Sequence, residues 1–255
     1  FNQGLSIART IERIATLPGS GADDDCGHGT AMCGAAAAPR GTDGNAAGVA
    51  YNCNLVACRA AYDVYLDASE ETVGVSNAFT YAGDDASVKI ISMSMGRILT
   101  SSQIQDAIRY AYGKGKLIFC AGGTSFSWTA GWFGVTFPGN MSEVQGITGI
   151  MDGEKQKACE DCHKGKEIDF VIVMEKKKNG LHALTTAISG DVPATVGGSS
   201  VSTATAAGIA ALVWSRFPSY SRADVVNKLT TTASNYPSKS KNFGWGVLNA
   251  DAATD

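Results

Sequence analysis

Gly198-Ser199-Ser200-Val201-Ser202-Thr203-Ala204-Thr205-Ala206-Ala207-Gly208 is a run of small residues that opens directly into Ile209-Ala210-Ala211-Leu212-Val213-Trp214. Gly197 and Gly198 let the backbone turn sharply and let another chain come close. The segment that follows has no polar face, so the helix predicted near 200–217 is buried rather than amphipathic. Such a helix aims its free N–H groups and positive dipole end at whatever lies beyond its first turn, which favours negative charge there. Ser200 stands at that mouth and is the candidate nucleophile. Ser, Thr and Gly clusters ahead of apolar runs also serve as plain caps and turns. A second segment weighs against the plain reading. Asp25-Cys26-Gly27-His28-Gly29-Thr30-Ala31-Met32-Cys33-Gly34 sets one of only three histidines between glycines, ahead of the small-residue run at 35–38. An imidazole at such a helix mouth is a candidate general base.

Working outward, apolar runs near 55–59, 89–93, 117–121, 146–150 and 168–173 alternate with helical patterns near 29–38, 69–82, 101–113, 200–217 and 221–233. Alternation of this kind predicts an α/β fold, a mostly parallel central sheet with helices on both faces. No composition shift divides the chain, so 1–255 reads as one domain. With 44% hydrophobic and 18% charged residues it can bury a large core. The net charge of −3 gives no basic footprint for nucleic acid, and no apolar run reaches the roughly twenty residues of a membrane span. The run at 174–180 (MEKKKNG) reads as a solvated hairpin turn, and Asn140-Met141-Ser142 fits a glycosylation acceptor.

The two boxes resemble those of subtilisin-like serine proteases, the subtilases. Gly27-His28-Gly29-Thr30 resembles the family's histidine box, and Gly198-Ser199-Ser200-Val201-Ser202 its serine box, in the same chain order. Four further blocks agree: Gly48-Val49-Ala50-Tyr51, residues 89–96 (KIISMSMG), Phe137-Pro138-Gly139 at a turn where the family often has a cis proline, and 243–253 (FGWGVLNADAA). The resemblance implies a subtilisin-like three-layer fold and peptide-bond hydrolysis through an acyl-enzyme. Ser200 would be the nucleophile and His28 the base. It also implies an extended substrate laid along 92–96, including Ser94, Met95 and Gly96, with Ala121, Gly122 and Gly123 facing it across the primary pocket. A polypeptide substrate is the expected partner. Calcium is plausible by family habit, but no Asp/Glu spacing specifies a metal site.

Two departures stand beside these agreements. The family's aspartate lies on a strand roughly thirty residues before the histidine, and only 27 residues precede His28 here. Asp23, Asp24 and Asp25 lie in a short Gly/Asp loop, a pattern typical of solvated turns. The expectation is a peptidase domain lacking its first strand and triad aspartate, with a separate N-terminal segment supplying both. Since that strand is central in the family's sheet, its absence would leave unpaired backbone groups on both neighbours. The second departure is Gly123, which stands where the family carries its oxyanion-hole asparagine; Thr124 and Ser125 are the nearest hydroxyl substitutes. Both departures favour an alternative reading, a pseudoprotease or peptide-binding module with little turnover.

The seven cysteines leave an odd thiol unless another chain contributes; Cys53 with Cys58, or Cys159 with Cys162, are the close pairs. Cys159-Glu160-Asp161-Cys162-His163 matches a c-type haem attachment pattern in its letters, yet no haem-pocket sequence surrounds it, and a closed loop is expected. The compartment stays open, with secretion favoured over the cytoplasm.

Overall fold

A computed structural model describes residues 11–39, 48–51, 53–124, 134–153, 156–175, 183–186 and 193–255. Its elements run β1 (Ile11–Ala15), α1 (His28–Ala37), β2 (Leu55–Arg59), α2 (Ser69–Asp84), β3 (Ile90–Met93), α3 (Ser102–Gly113), β4 (Leu117–Ala121), β5 (Gln145–Ile150) and β6 (Ile168–Val173). They continue with β7 (Ala183–Thr186), β8 (Pro193–Val196), α4 (Ser199–Arg216), α5 (Arg222–Thr232) and α6 (Ala250–Thr254).

Strand alternation explains the layering. In β4 every residue is buried, with Leu117 and Phe119 on one face and Ile118 and Cys120 on the other. The first pair joins Phe170, Ile172, Ala210 and Val213 in a core shared with α1, α4, α5 and α6. The second joins Ile104, Ile108, Val75 and Phe79 under α2 and α3. Such side-to-side alternation is what a strand covered on both faces requires. Helix α4 is the centrepiece, as its apolar sequence implied: Ala206, Ala210 and Val213 have no exposed surface. It meets α1 closely because residue 208 is glycine. A Cβ there would lie 3.0 Å from the Ala36 carbonyl oxygen and 2.8 Å from Val49 Cβ.

Among the described residues the parallel strands fall into two groups. Strands β3-β4-β5-β6 make a four-stranded parallel sheet, and β1-β2 make a separate parallel pair. Between them lies a cavity of about 780 Å³ lined by 54–64 on one side and 87–95 on the other. The expected mostly parallel sheet with helices on both faces is present, in these two parts among the described residues. The strand before His28 is a correction: β1 was not anticipated, since Ile11-Glu12-Arg13-Ile14 offers two apolar residues around two charges. It pairs with β2 from Ile11↔Leu55 to Ala15↔Arg59 and carries no aspartate.

Three smaller expectations can also be placed. The Phe137–Pro138 bond is cis. The antiparallel hairpin is β7–β8, and residues 176–180 of the anticipated turn lie outside the described residues. Asn140 is exposed on a turn.

Candidate active site

The N-terminus of α1 is built around Asp24. Gly27 adopts φ +78°, and the Asp24 carboxylate accepts the N–H of Gly27 (2.8 Å), the N–H of Thr30 (2.7 Å) and the Thr30 hydroxyl (2.7 Å). Burial would raise the Asp24 pKa, but the hydrogen bonds from Thr30, Gly27 and Cys26 outweigh it and hold the carboxyl below its ordinary value. Asp25 pairs with Arg59 at 2.7 Å and Asp23 with Arg13 at 2.9 Å. All three acids of the loop therefore have structural partners, and none bonds the imidazole of His28. That ring, on the first residue of α1, makes no hydrogen bond among the described residues. Burial pushes its pKa below 6.5, and the carboxylates of Asp24 and Asp63 partly offset this. Asp63 went unnoticed in the sequence because it belongs to the loop after β2.

Helix α4 starts at Ser199, after Gly198 at φ +96°. Its opening hydroxyls have separate fates. Ser202 Oγ donates to the Gly198 carbonyl at 2.9 Å and Thr203 Oγ1 to the Ser199 carbonyl at 2.8 Å, and both residues are fully buried. Ser199, also buried, shares a 2.6 Å hydrogen bond with Thr124 Oγ1. Only Ser200, of residues 199, 200, 202 and 203, stays partly exposed. Its N–H has no acceptor among the described residues, as expected of a helix's first turn. Ser94 docks on it: Ser94 Oγ donates to the Ser200 carbonyl at 2.8 Å, and Ser200 Oγ donates weakly to the Ser94 carbonyl at 3.4 Å. No hydrogen bond joins Ser200 to His28.

Thr124 is occupied as a cap, because its Oγ1 also accepts the Ser199 N–H at 3.0 Å. It thus satisfies one of the free donors at the start of α4 from 75 residues away in the chain. Ser125 lies outside the described residues. Gly123 adopts φ +114°, and a Cβ there would meet His163 Nδ1 at 2.8 Å and Thr136 Oγ1 at 2.9 Å. The Gly123 carbonyl accepts the His163 N–H at 2.9 Å, while His163 Nδ1 pairs with the Gly134 carbonyl, also at 2.9 Å. The position therefore has no room for any side chain. Gly123→Ala is expected to destabilise the fold by about 3 kcal/mol, combining backbone strain with the clash, as read from a urea melt.

His163 directly follows a disulfide, since the sulfurs of Cys159 and Cys162 are bonded to each other. Cys162 bridges to Thr124 in antiparallel fashion, so the closed loop backs the 122–124 segment. Replacing both cysteines by serine is expected to cost about 2 kcal/mol, the loop-closure value for so short a ring, with the largest exchange increase at the Gly123–Thr124 amides.

The anticipated substrate edge is partly engaged. Gly96 donates its N–H to the Val64 carbonyl (3.1 Å) and accepts the Leu66 N–H (3.0 Å). Ser94 and Met95 line the same cavity as His28, while Ala121, Gly122 and Gly123 lie on the side of Thr124 and Ser199. Among the described residues no group of three or more His, Cys, Asp or Glu side chains gathers in one place. No helix among the described residues is long and apolar enough to cross a membrane.

Comparison with known proteins agrees with this architecture. A subtilisin from Bacillus sp. (strain TA39) is 30% identical over 227 residues, covering 84% of this chain and 52% of that protein. The alkaline elastase YaB of Bacillus sp. (strain YaB) is 29% identical over 231 residues, covering 91% and 56%. The chain thus spans little more than half the length of these two relatives. Among solved structures, the S41 psychrophilic protease superposes with a TM-score of 0.76 at 25% identity, covering 94% of this chain and 84% of that one. Sphericase gives 0.76 at 24% identity with the same coverage, a likeness of fold. Residues 9–246 match the sequence profile of the Subtilase family, peptidase S8, and the chain belongs to that family.

Proposed function

We propose that the protein is a serine endopeptidase that cleaves peptide bonds through an acyl-enzyme on Ser200, with His28 as general base. The observation that carries this reading is the matched placing of the two residues on packed helices. Ala36 of α1 and Gly208 of α4 are in contact, and His28 and Ser200 each stand eight residues before them. Ser94 adds a second link, since it lines the cavity with His28 and is bonded to Ser200. Ser200 Oγ attacks the scissile carbonyl, and His28 takes its proton and returns it to the leaving amine. The Ser200 N–H receives the oxyanion at the positive end of α4. An aspartate outside residues 1–255 orients the imidazole. Without it no hydrogen bond among the described residues holds the ring, in keeping with the lack of a His28–Ser200 hydrogen bond; such bonds also tighten only when substrate is bound.

A fluorophosphonate probe tests this: labelling that disappears in Ser200→Ala supports the enzyme. A chain that never labels, even when an orienting carboxylate is supplied, is the peptide-binding module instead, the reading that the unpartnered His28 ring favours.

The pH profile follows from burial. The base must be neutral, so labelling falls as pH drops through the His28 pKa. Burial lowers that pKa despite Asp24 and Asp63, so the acid limb is expected below pH 6.5. An added carboxylate stabilises the imidazolium and moves the limb upward; an amide in its place leaves it where it was.

A further inference from the structure

The Cys159–Cys162 disulfide closes a four-residue turn, in which the Cys162 N–H donates to the Cys159 carbonyl at 3.0 Å. Both half-cystines are buried, while Glu160 between them is exposed. Asp161 is held at φ +67°, the left-handed region that few residues other than glycine adopt without cost. Two routes lead from this ring to the first turn of α4, and both cross long stretches of sequence. Along the first, Cys162 bridges Thr124 and the Gly123 carbonyl accepts the His163 N–H. Thr124 Oγ1 then accepts the Ser199 N–H at 3.0 Å and shares a 2.6 Å hydrogen bond with the Ser199 hydroxyl. Along the second, the Cys159 N–H donates to the Gly149 carbonyl at 2.9 Å. A sulfur and a hydroxyl converge over that glycine, since a Cβ there would lie 3.2 Å from Cys159 Sγ and 3.1 Å from Ser202 Oγ. Ser202 Oγ in turn donates to the carbonyl of Gly198, the residue that caps α4. Ser200 lies between the two end points, Ser199 and Ser202.

We infer that this disulfide is a thiol-exchange site that switches the nucleophile. Closed, it holds the mouth of α4 in place for Ser200 to attack; opened by a dithiol, it releases that mouth and slows acyl transfer. The exchange balances with the dithiol as co-reactant. One of its thiolates attacks a protein sulfur, the S–S bond breaks to give a mixed disulfide and one protein thiol, and the second thiol of the reagent displaces the other protein sulfur. The dithiol ends as a cyclic disulfide, and Cys159 and Cys162 each gain one electron and one proton. Packing makes the opening matter. Two separate thiols need more room than one bonded pair, and Gly149 with Ser202 beside it has none to give. Opening also lets Asp161 leave its left-handed conformation, which loosens the turn that carries Cys162. Met95, Gly96 and His28 lie on neither route, so substrate binding and the titration of the base stay as they are. The link from ring to helix stands on these contacts alone; its effect on rate rests on the catalytic reading of Ser200 above.

The test compares the whole chain, oxidised and after dithiothreitol, with mass spectrometry confirming the gain of two thiols. Reduction is expected to lower the maximal rate of Ser200 labelling by a fluorophosphonate about tenfold, the value of a lost helix cap, and reoxidation to restore it. The half-saturating probe concentration and the acid limb stay in place, and exchange of the Ser199 and Ser202 amides quickens about tenfold. A Cys159→Ala, Cys162→Ala variant is slow from the start and indifferent to dithiol. In the oxidised chain Thr124→Val reproduces the reduced rate, whereas Thr124→Ser, which keeps the hydroxyl, does not. Faster exchange at Ser199 and Ser202 with no labelling in either redox state supports the link and removes the catalytic reading. Labelling or exchange that ignores reduction overturns the switch, and so does a dithiol response that persists in the cysteine variant. Should reduction melt the whole chain, seen as exchange rising throughout β4, equal labelling rates for the two Thr124 variants overturn it.

Discussion

Ser200→Ala is expected to lower peptide hydrolysis by about 10⁶-fold in a form of the protein that has an orienting carboxylate, but by only about a hundredfold in the 255-residue chain. The difference follows from how triad residues act as a unit. In subtilisin, losing the serine costs about as much as losing the whole triad, roughly 2 × 10⁶, while losing the aspartate alone costs roughly 3 × 10⁴. If these 255 residues already lack the acid, most of that loss is present before Ser200 is touched. Single-turnover kinetics on the chain and its Ser200→Ala variant would measure the smaller ratio. A full 10⁶-fold drop in the isolated chain would mean that an acid within 1–255 already orients His28, with Asp63 the first to examine.

The carboxylate itself carries the second large effect. Supplying a strand that ends in Asp is expected to raise kcat by about 10⁴-fold over the same strand ending in Asn, with KM little changed. The two differ only in one carboxylate, so the ratio isolates the fixing of the imidazole from simple stabilisation. Equal rates with Asp and Asn would show that the end of the inserted segment lies away from His28.

Much of this architecture was readable from residues alone, and the reasons differ by element. Strands β4 and β6 are short apolar runs between breakers, and α4 is an eighteen-residue helix without a polar face, so local composition suffices. Strand β1 was hidden because its outward residues Glu12 and Arg13 mask the two isoleucines. The candidate site was legible as types, a serine and a histidine at helix mouths, but its supports were not. Thr124 holds the Ser199 N–H across 75 residues, and His163 fills the space beside Gly123 across forty, and no periodicity reports contacts of that separation. The closed loop expected at residues 159–162 is there as a disulfide, and with the buried ring of His163 it forms a wall behind the glycine.

The bonds from Gly96 to Val64 and Leu66 bear on how a peptide would be gripped. An extended substrate claiming the Gly96 backbone must first displace a loop that already satisfies it, so main-chain recognition becomes a swap with little net gain in hydrogen bonding. Discrimination among peptides then falls to their side chains, and the opening of residues 64–66 sets a ceiling on how quickly any of them can engage.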